Sequence, residues 1–115
     1  MSKDISELNM GDEPYFFDSF IIDSEVKNNL IGNYALLSFD EEEIYIVKYV
    51  GRGDIKTRLK DHLEEYFDIS CFMFSYKDNE EDAILEECRL YHEFKPEYND
   101  IHPAVPKNME CPYCD

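Results

Sequence analysis

The sequence predicts a small α+β domain in which a three-stranded antiparallel sheet is flanked by helices, in the order β-β-α-β-α. Two β-rich runs at 33–39 and 44–50 are joined by the four residues DEEE, a link typical of a hairpin. A third apolar run at 71–76 predicts a buried strand. Helical periodicity appears at 55–67 and at 80–94. The 115 residues provide enough chain for one hydrophobic core.

Each element has its own local signals. Gly51 and Gly53 are expected to break the second strand, and Asp54 is placed to cap the helix that follows. The third strand is followed by a polar turn and then by acidic residues, which suit the positive end of a helix dipole. Pro96 is expected to stop this second helix, because a proline cannot continue the hydrogen-bonding pattern.

We divide the chain into three parts. Residues 1–30 are predicted to be an N-terminal extension packed on the core, 31–104 the α+β domain, and 105–115 a C-terminal tail that contains a C-x-x-C pair. The extension is compatible with a helical turn capped by Ser24.

The composition limits the classes of protein to consider. The 43% apolar fraction is typical of a globular chain, and no apolar run approaches the ~20 residues that span a bilayer, so no membrane partner is expected. The N-terminus, MSKDISELNM, lacks the pattern of a secretory signal. We therefore expect a cytoplasmic protein whose four cysteines are reduced thiols.

The charge is strongly acidic but uneven. The formal net charge of −16 repels polyanions and opposes a role in nucleic-acid binding. From Lys48 to Asp61, however, there are five basic residues and only two acidic ones, Asp54 and Asp61. One basic segment therefore lies in an otherwise acidic chain.

Glu87 is the most unusual residue on the second predicted helix. At 100° per residue it falls near the middle of the apolar face rather than at its edge. Burying a lone carboxylate is costly, so the group is expected to be paired, protonated or bound to a metal. An internal salt bridge and a metal or acid–base site both satisfy this requirement. The apolar face consists of Ala83, Ile84, Cys88, Leu90, Tyr91 and Phe94.

Arg58 and His62 lie four residues apart on the first predicted helix and hence on one face. This spacing is equally compatible with an ordinary solvated helix face and with two residues that act together in a functional site. Together with an inward carboxylate, however, a cationic pair would suit a phosphate and a metal ion.

Over residues 32–99, short motifs follow one another in a recognisable order: Gly32-Asn33-Tyr34, Tyr49-Val50-Gly51, Arg58 with His62, Glu87, Pro96 and Tyr98-Asn99. In this order they resemble the motifs of the GIY-YIG nuclease family. The resemblance implies that the domain at 31–104 is GIY-YIG-like and that the chain hydrolyses nucleic acid, with DNA the favoured substrate. The spacing of Tyr34 and Tyr49, with fourteen residues between them, is longer than is usual in the family.

The resemblance also implies roles for particular residues. Glu87 would hold one Mg²⁺ or Mn²⁺ ion, and Tyr34 would take the proton from the attacking water. Arg58 would clamp the phosphate with its planar fork, while Tyr49 and His62 would orient water and phosphate oxygens.

Other residues would support these groups. Asn99 would tie the loop after the second helix to the site. Gly51, Arg52 and Lys56, in and beside the basic segment, are expected to bind phosphate.

Two alternatives to an active nuclease remain at this stage. One is a binding module of the same fold that has lost turnover. The other is an acidic interaction protein whose carboxylates mimic phosphates and occupy a nucleic-acid-binding partner. Since no second DNA-binding domain is evident, an active enzyme would act either with a protein partner that supplies DNA affinity or on a small or single-stranded substrate.

The C-terminal tail contains Cys111 and Cys114 in C-x-x-C spacing. Redox catalysis is disfavoured because this pair does not begin a helix in a βαβ unit. We expect a plain tail with free thiols. A structural zinc site is the alternative, in which His92 or His102 would join the two thiolates.

Overall fold

The computed structural model describes residues 4–42 and 44–114 and has an α+β architecture. Glu43, in the predicted four-residue link, lies outside the described residues. A short 3-10 helix at Ile5–Leu8 precedes the elements that we number in chain order. They are β1 (Tyr15–Phe16), α1 (Ser19–Glu25), β2 (Ile31–Phe39), β3 (Tyr45–Asp54), α2 (Ile55–Leu63), β4 (Cys71–Tyr76) and α3 (Glu80–Phe94).

The strands form one antiparallel sheet in the order β1-β4-β2-β3. The three predicted strands are therefore present as β2, β3 and β4, and the prediction omits β1. In this short edge strand Tyr15 pairs with Phe72 and Phe16 with Cys71. Two residues are too few to produce an alternating pattern in the sequence, which explains why this strand was missed.

The second strand does not end at its glycines, contrary to the prediction. β3 continues to Asp54, with Gly51 opposite Tyr34 and Gly53 opposite Gly32 in the ladder with β2. The cross-strand hydrogen bonds outweigh the low strand propensity of glycine here. The basic segment therefore begins on a strand and not in a flexible turn.

The helices agree closely with the sequence pattern. α3 has the predicted bounds, and α2 begins after the predicted cap, Asp54, whose side chain accepts a hydrogen bond from the Thr57 amide at 3.2 Å. α2 ends at Leu63, four residues earlier than predicted. No helix in the described part of the chain is both long enough and apolar enough to cross a bilayer.

The N-terminal segment contributes to the core. Leu8 and Ile22 are fully buried in two separate apolar clusters. α1 begins at Ser19 and not at the predicted Ser24, because the Asp18 side chain accepts hydrogen bonds from the Phe20 and Ile21 amides and caps the helix there.

The sheet separates these two clusters. Successive residues of a strand point to opposite faces, so Ala35 and Leu37 pack on the α3 side while Tyr34 and Leu36 pack on the α2 side. Because β3 is an edge strand, residues from the two sides can approach one another around it.

Candidate functional site

A cavity of about 300 Å³ lies beside the edge strand β3. Side chains reach it from β2 and α2 on one side of the sheet and from α3 on the other. It contains six of the residues that the sequence singled out, whereas Gly51, Lys56 and Asn99 do not line it. The lining residues are Tyr34, Tyr49, Arg52, Gly53, Arg58, His62, Glu80 and Glu87.

Arg58 reaches the cavity across a glycine. Gly53 has a φ of +128°, and a Cβ at this position would come within 3.1 Å of Arg58 Nε and 3.4 Å of its Cγ. The absent side chain therefore leaves the space in which the guanidinium lies. Within the described part of the chain, the exposed Arg58 makes no ion pair or hydrogen bond. Its five N–H groups are thus available to an anion.

Tyr34 is almost fully buried, and its ring lies directly over Gly51. Any side chain at Gly51 would collide with the Tyr34 hydroxyl, so this glycine leaves room for the phenol, and it does not line the cavity itself. The hydroxyl lies 2.8 Å from His62 Nε2. Burial raises the pKa of Tyr34 well above that of an ordinary phenol, so the group keeps its proton at neutral pH.

His62 is placed to accept that proton. Burial lowers its pKa, while the nearby carboxylates of Glu65 and Asp61 oppose this effect. Its Nδ1 lies 3.3 Å from Glu65 Oε1, within ion-pair distance although not aligned for a hydrogen bond. A neutral imidazole with its hydrogen on Nδ1 would leave Nε2 as the acceptor for the Tyr34 hydroxyl, and we assign this tautomer.

Glu87 points inward, as the helical wheel predicted, and is 7% exposed. Burial raises the pKa of its carboxyl, and a hydrogen-bonded ion pair between Arg52 Nη1 and Glu87 Oε1 counteracts this shift. The internal salt bridge that we considered as an alternative is therefore present. Its partner is Arg52, which had been expected to bind phosphate.

The cavity is locally neutral in a strongly acidic protein. Its lining contains two guanidinium groups, Arg52 and Arg58, and two carboxylates, Glu80 and Glu87. A phosphate would therefore meet far less repulsion here than over the rest of a chain whose formal net charge is −16.

Asn99 lies at the edge of β3, outside the cavity lining. Its side-chain oxygen accepts from the Val50 amide at 2.9 Å, and its side-chain nitrogen donates to the Val50 carbonyl at 3.0 Å. Next to it, the Tyr98 amide donates to the Lys48 carbonyl at 2.8 Å. These hydrogen bonds hold the loop that contains Asn99 against β3, and Asn99 lines a second cavity together with Tyr49 and Glu87.

Lys56, which the sequence predicts to bind phosphate, does not line the cavity. Its Nζ donates to the Asp23 carbonyl at 3.2 Å and so joins α2 to α1. Lys60 forms an ion pair with the carboxylate of the same aspartate. These two positive charges of the basic segment therefore stabilise helix packing.

Asn33 was not among the predicted site residues, although its side chain bonds the backbone of the elements that form the site. It is fully buried, and its side-chain amide donates to the Ala83 carbonyl at 2.9 Å and to the Gly51 carbonyl at 3.4 Å. These bonds join β2 to β3 and α3, the elements that carry Tyr34, Arg52 and Glu87. A polar residue in an otherwise apolar strand was the signal that could have identified it.

The C-terminal tail is not a plain tail. Cys111 and Cys114 meet His92 and His102, and one ligand atom from each of the four residues lies within 4.8 Å of the others. The set could hold a metal ion. The C-x-x-C pair alone could not predict this cluster, because His92 and His102 approach the two cysteines only in the folded chain.

A more voluminous cavity, of about 670 Å³, lies elsewhere, between Met10–Tyr15 and the residues Phe74 and Ser75. Among the described residues, the charged side chains that line it are Asp12 and Glu13, which offer no counterpart for a phosphate. The smaller cavity therefore remains the candidate site, because it combines a guanidinium, buried carboxylate, phenol and imidazole.

The donors in that cavity fit a sparsely ligated divalent cation. Glu87 and Glu80 supply hard carboxylate oxygens, and Mg²⁺ commonly uses only one or two carboxylates together with water and substrate phosphate. The neighbouring Arg52 would have to share or release Glu87 when a cation binds.

Comparison with protein-family models, with curated proteins and with solved structures found no match. The function must therefore be argued from the site itself.

Proposed function

We propose that this chain is a metal-dependent phosphodiesterase of the GIY-YIG type that hydrolyses nucleic acid. One observation carries the proposal: an unengaged guanidinium, a phenol hydrogen-bonded to imidazole and a buried carboxylate line the same cavity of about 300 Å³. These are the groups required to bind a phosphate, activate water and hold a divalent cation.

Water activation would proceed through Tyr34 and His62. As the phenol takes the proton of the attacking water, its own proton passes to Nε2 of the neutral imidazole, 2.8 Å away. This coupling avoids a free phenolate, which the raised pKa of Tyr34 makes unfavourable at neutral pH. Glu65 would stabilise the imidazolium that forms, since its Oε1 is 3.3 Å from Nδ1.

Arg58 would bind the scissile phosphate in a bidentate manner. Its exposed guanidinium has no competing partner among the described residues, and Gly53 keeps its path clear. Tyr49 lies beside the same groups, with its ring centroid 4.9 Å from that of His62, and would limit the orientations open to the imidazole.

Glu87 would hold one Mg²⁺ or Mn²⁺ ion. When bound, this ion would neutralise charge on the phosphate and stabilise the leaving oxygen. Arg52 would keep the carboxylate ionised and aimed at the cavity before the cation arrives, because its positive charge lowers the pKa of Glu87 against the effect of burial.

The acidic surface favours assistance from a protein partner. The net charge of −16 opposes encounter with a polyanion, and only Arg52 and Arg58 bring positive charge to the cavity lining. A basic partner that docks beside β3 would supply the missing affinity for nucleic acid.

Cleavage assays with a matched pair of neighbouring carboxylates test the proposal. Supercoiled, single-stranded and branched DNA, together with structured RNA, are incubated with the wild type, Glu87→Gln and Glu86→Gln in Mg²⁺ or Mn²⁺. Glu86 is the control because it pairs with Arg89 on the same helix, with its Oε1 2.7 Å from Arg89 Nε. We expect Glu87→Gln to lose about a thousandfold in rate, corresponding to several kcal/mol of charge stabilisation, and Glu86→Gln to keep wild-type activity.

Equal trace activity in all three proteins would contradict the proposal that the chain is an enzyme. Cleavage that persists in excess chelator would contradict its dependence on a metal ion.

A nucleic-acid-binding module without turnover is the second candidate, and the ion pair between Arg52 and Glu87 favours it. If that pair is permanent, the carboxylate is unavailable to a cation and Arg58 alone binds phosphate. Binding of nucleic acid that is weakened by Arg58→Ala, with no cleavage by the wild type in either metal, would support this candidate.

A further inference from the structure

Four side chains from three separate segments converge beside the last turn of α3. His92 belongs to that turn, His102 to the loop after it, and Cys111 and Cys114 to the tail. None of these four residues lines the cavity that contains Arg58 and Glu87. An inference about the cluster therefore does not rest on the proposed function.

Three of the four ligand atoms form a nearly equilateral triangle. The Nε2 atoms of His92 and His102 are 3.2 Å apart, and Cys114 Sγ lies 3.3 Å from the first and 3.2 Å from the second. Tetrahedral zinc, with Zn–N and Zn–S bonds of about 2.0 and 2.3 Å, requires ligand separations of about 3.3 to 3.8 Å. The triangle therefore has nearly the size of one face of such a tetrahedron, and Cys111 supplies a fourth donor.

The tautomer of one histidine is set by a backbone group. His102 Nδ1 lies 2.8 Å from the Pro103 carbonyl, which can only accept, so this nitrogen carries the hydrogen. The Nε2 lone pair of the neutral ring is consequently directed into the cluster. A hydrogen bond from the far nitrogen of a histidine to a carbonyl is the usual support for a zinc ligand.

We propose that His92, His102, Cys111 and Cys114 form a tetrahedral structural zinc site that fastens the C-terminal tail and the preceding loop to α3. Two thiolates and two imidazoles suit zinc and not the hard cations Mg²⁺ and Ca²⁺, which prefer oxygen. All four positions of the tetrahedron are filled by protein, so the site is closed to substrate.

The zinc site would also stabilise one wall of the candidate active site. His102 belongs to the loop that contains Asn99, and residues of this loop line a second cavity with Tyr49 and Glu87. Fixing His102 against His92 would limit the motion of the loop where it covers the edge of β3.

Metal analysis of the full-length chain, produced without a polyhistidine tag in zinc-supplemented medium, tests the site. We expect about one zinc per chain after dialysis, as a complete four-ligand set requires. Replacement by Co²⁺ is expected to produce the visible absorption of tetrahedral cobalt with thiolate ligands. The wild-type spectrum provides a test that does not depend on whether any variant folds.

Matched substitutions assign the ligands. Cys114→Ser and His102→Asn are each expected to lower zinc affinity more than tenfold in competition with a chromophoric chelator. Cys71→Ala is the control, because this cysteine is buried in β4, away from the cluster, and should retain the zinc. Wild-type protein that retains less than about a tenth of an equivalent, or ligand variants that hold zinc as tightly as the wild type, would overturn the proposal.

Discussion

Helix α3 carries two candidate metal sites that differ in almost every respect. Glu87 offers one buried carboxylate, paired with Arg52, in a cavity that also contains an unengaged guanidinium. His92, further along the same helix, belongs to a cluster of four nitrogen and sulfur donors that are already close together. The first set of donors is hard and incomplete, whereas the second is soft and complete.

On our two proposals, this difference separates a catalytic metal site from a structural one. A catalytic metal site leaves coordination positions for water and substrate, while a structural zinc site fills all four with protein. On this account the Glu87 cation would be loosely held and depend on phosphate. Zinc at the cluster would stay bound through purification.

Of the variants below, Tyr34→Phe is expected to reduce cleavage most. It should affect only the site that contains Glu87 and not the His and Cys cluster. It removes the hydroxyl that lies 2.8 Å from His62 Nε2, so proton transfer fails and kcat falls by about 10²- to 10⁴-fold. Zinc content should be unchanged. Tyr45→Phe, on the same sheet but packed in the opposite core, is the control for loss of a tyrosine hydroxyl. Cleavage by Tyr34→Phe at the wild-type rate would exclude this phenol from the reaction.

The pH dependence should show a loss of activity on the acid side only. Activity requires ionised Glu87, whose pKa is raised above 4.5, and neutral His62, whose pKa is lowered below 6.5. As the pH falls through these values, each group is expected to reduce kcat/KM by about tenfold per pH unit.

On the alkaline side, the raised pKa of Tyr34 keeps the phenol protonated beyond the ordinary value of 10.0. A rate profile from pH 4 to 10 should therefore show the loss on the acid side and no loss on the alkaline side. A loss of activity between pH 7 and 9 would contradict these assignments.

Zinc removal should affect the first site indirectly and more weakly. In Cys114→Ser the loop around His102 is released, and we expect about a tenfold decrease in cleavage, comparable to the loss of an outer-shell contact. The comparison variant Cys71→Ala should keep its rate. A Cys114→Ser protein that is fully active and equally heat-stable would show that the two sites are uncoupled.

Asn99→Ala should have the smallest effect on activity and a measurable effect on stability. It removes two hydrogen bonds to Val50, each worth about 0.5–1.5 kcal/mol, so a loss of about 2 kcal/mol is expected. This corresponds to about 8 °C in Tm for a domain of this size. The exposed Asn28→Ala serves as the reference. Unchanged thermal unfolding of Asn99→Ala would rule out its role at the strand edge.

Much of the fold could be predicted because several elements carry strong periodic patterns. α3 follows an apolar stripe over four turns, and the same pattern identified Glu87 as an inward carboxylate. β1 could not be predicted, since its two residues have no period of their own. Gly51 and Gly53 were misread because the partners that keep them in β3 lie on another strand.

The candidate site was predictable where helical spacing places residues together and where the order of short motifs indicated Tyr34 and Tyr49, which line the cavity. Arg58 and His62 share a face of α2, and both line the cavity. Lys56 was assigned to phosphate because its charge is visible in the sequence, whereas its contact with Asp23 depends on how α1 packs. The His and Cys cluster depends on the path of a loop with no regular pattern, so only its C-x-x-C half could be recognised.

The most direct test is a crystal of the zinc-containing protein grown with Mn²⁺ and a nucleoside monophosphate, with anomalous scattering recorded at the manganese and zinc edges. We predict manganese beside Glu87, with the phosphate on Arg58, and zinc among His92, His102, Cys111 and Cys114. Manganese at the cysteine cluster, or an Arg52–Glu87 pair that stays closed with neither metal nor phosphate beside it, would contradict the account.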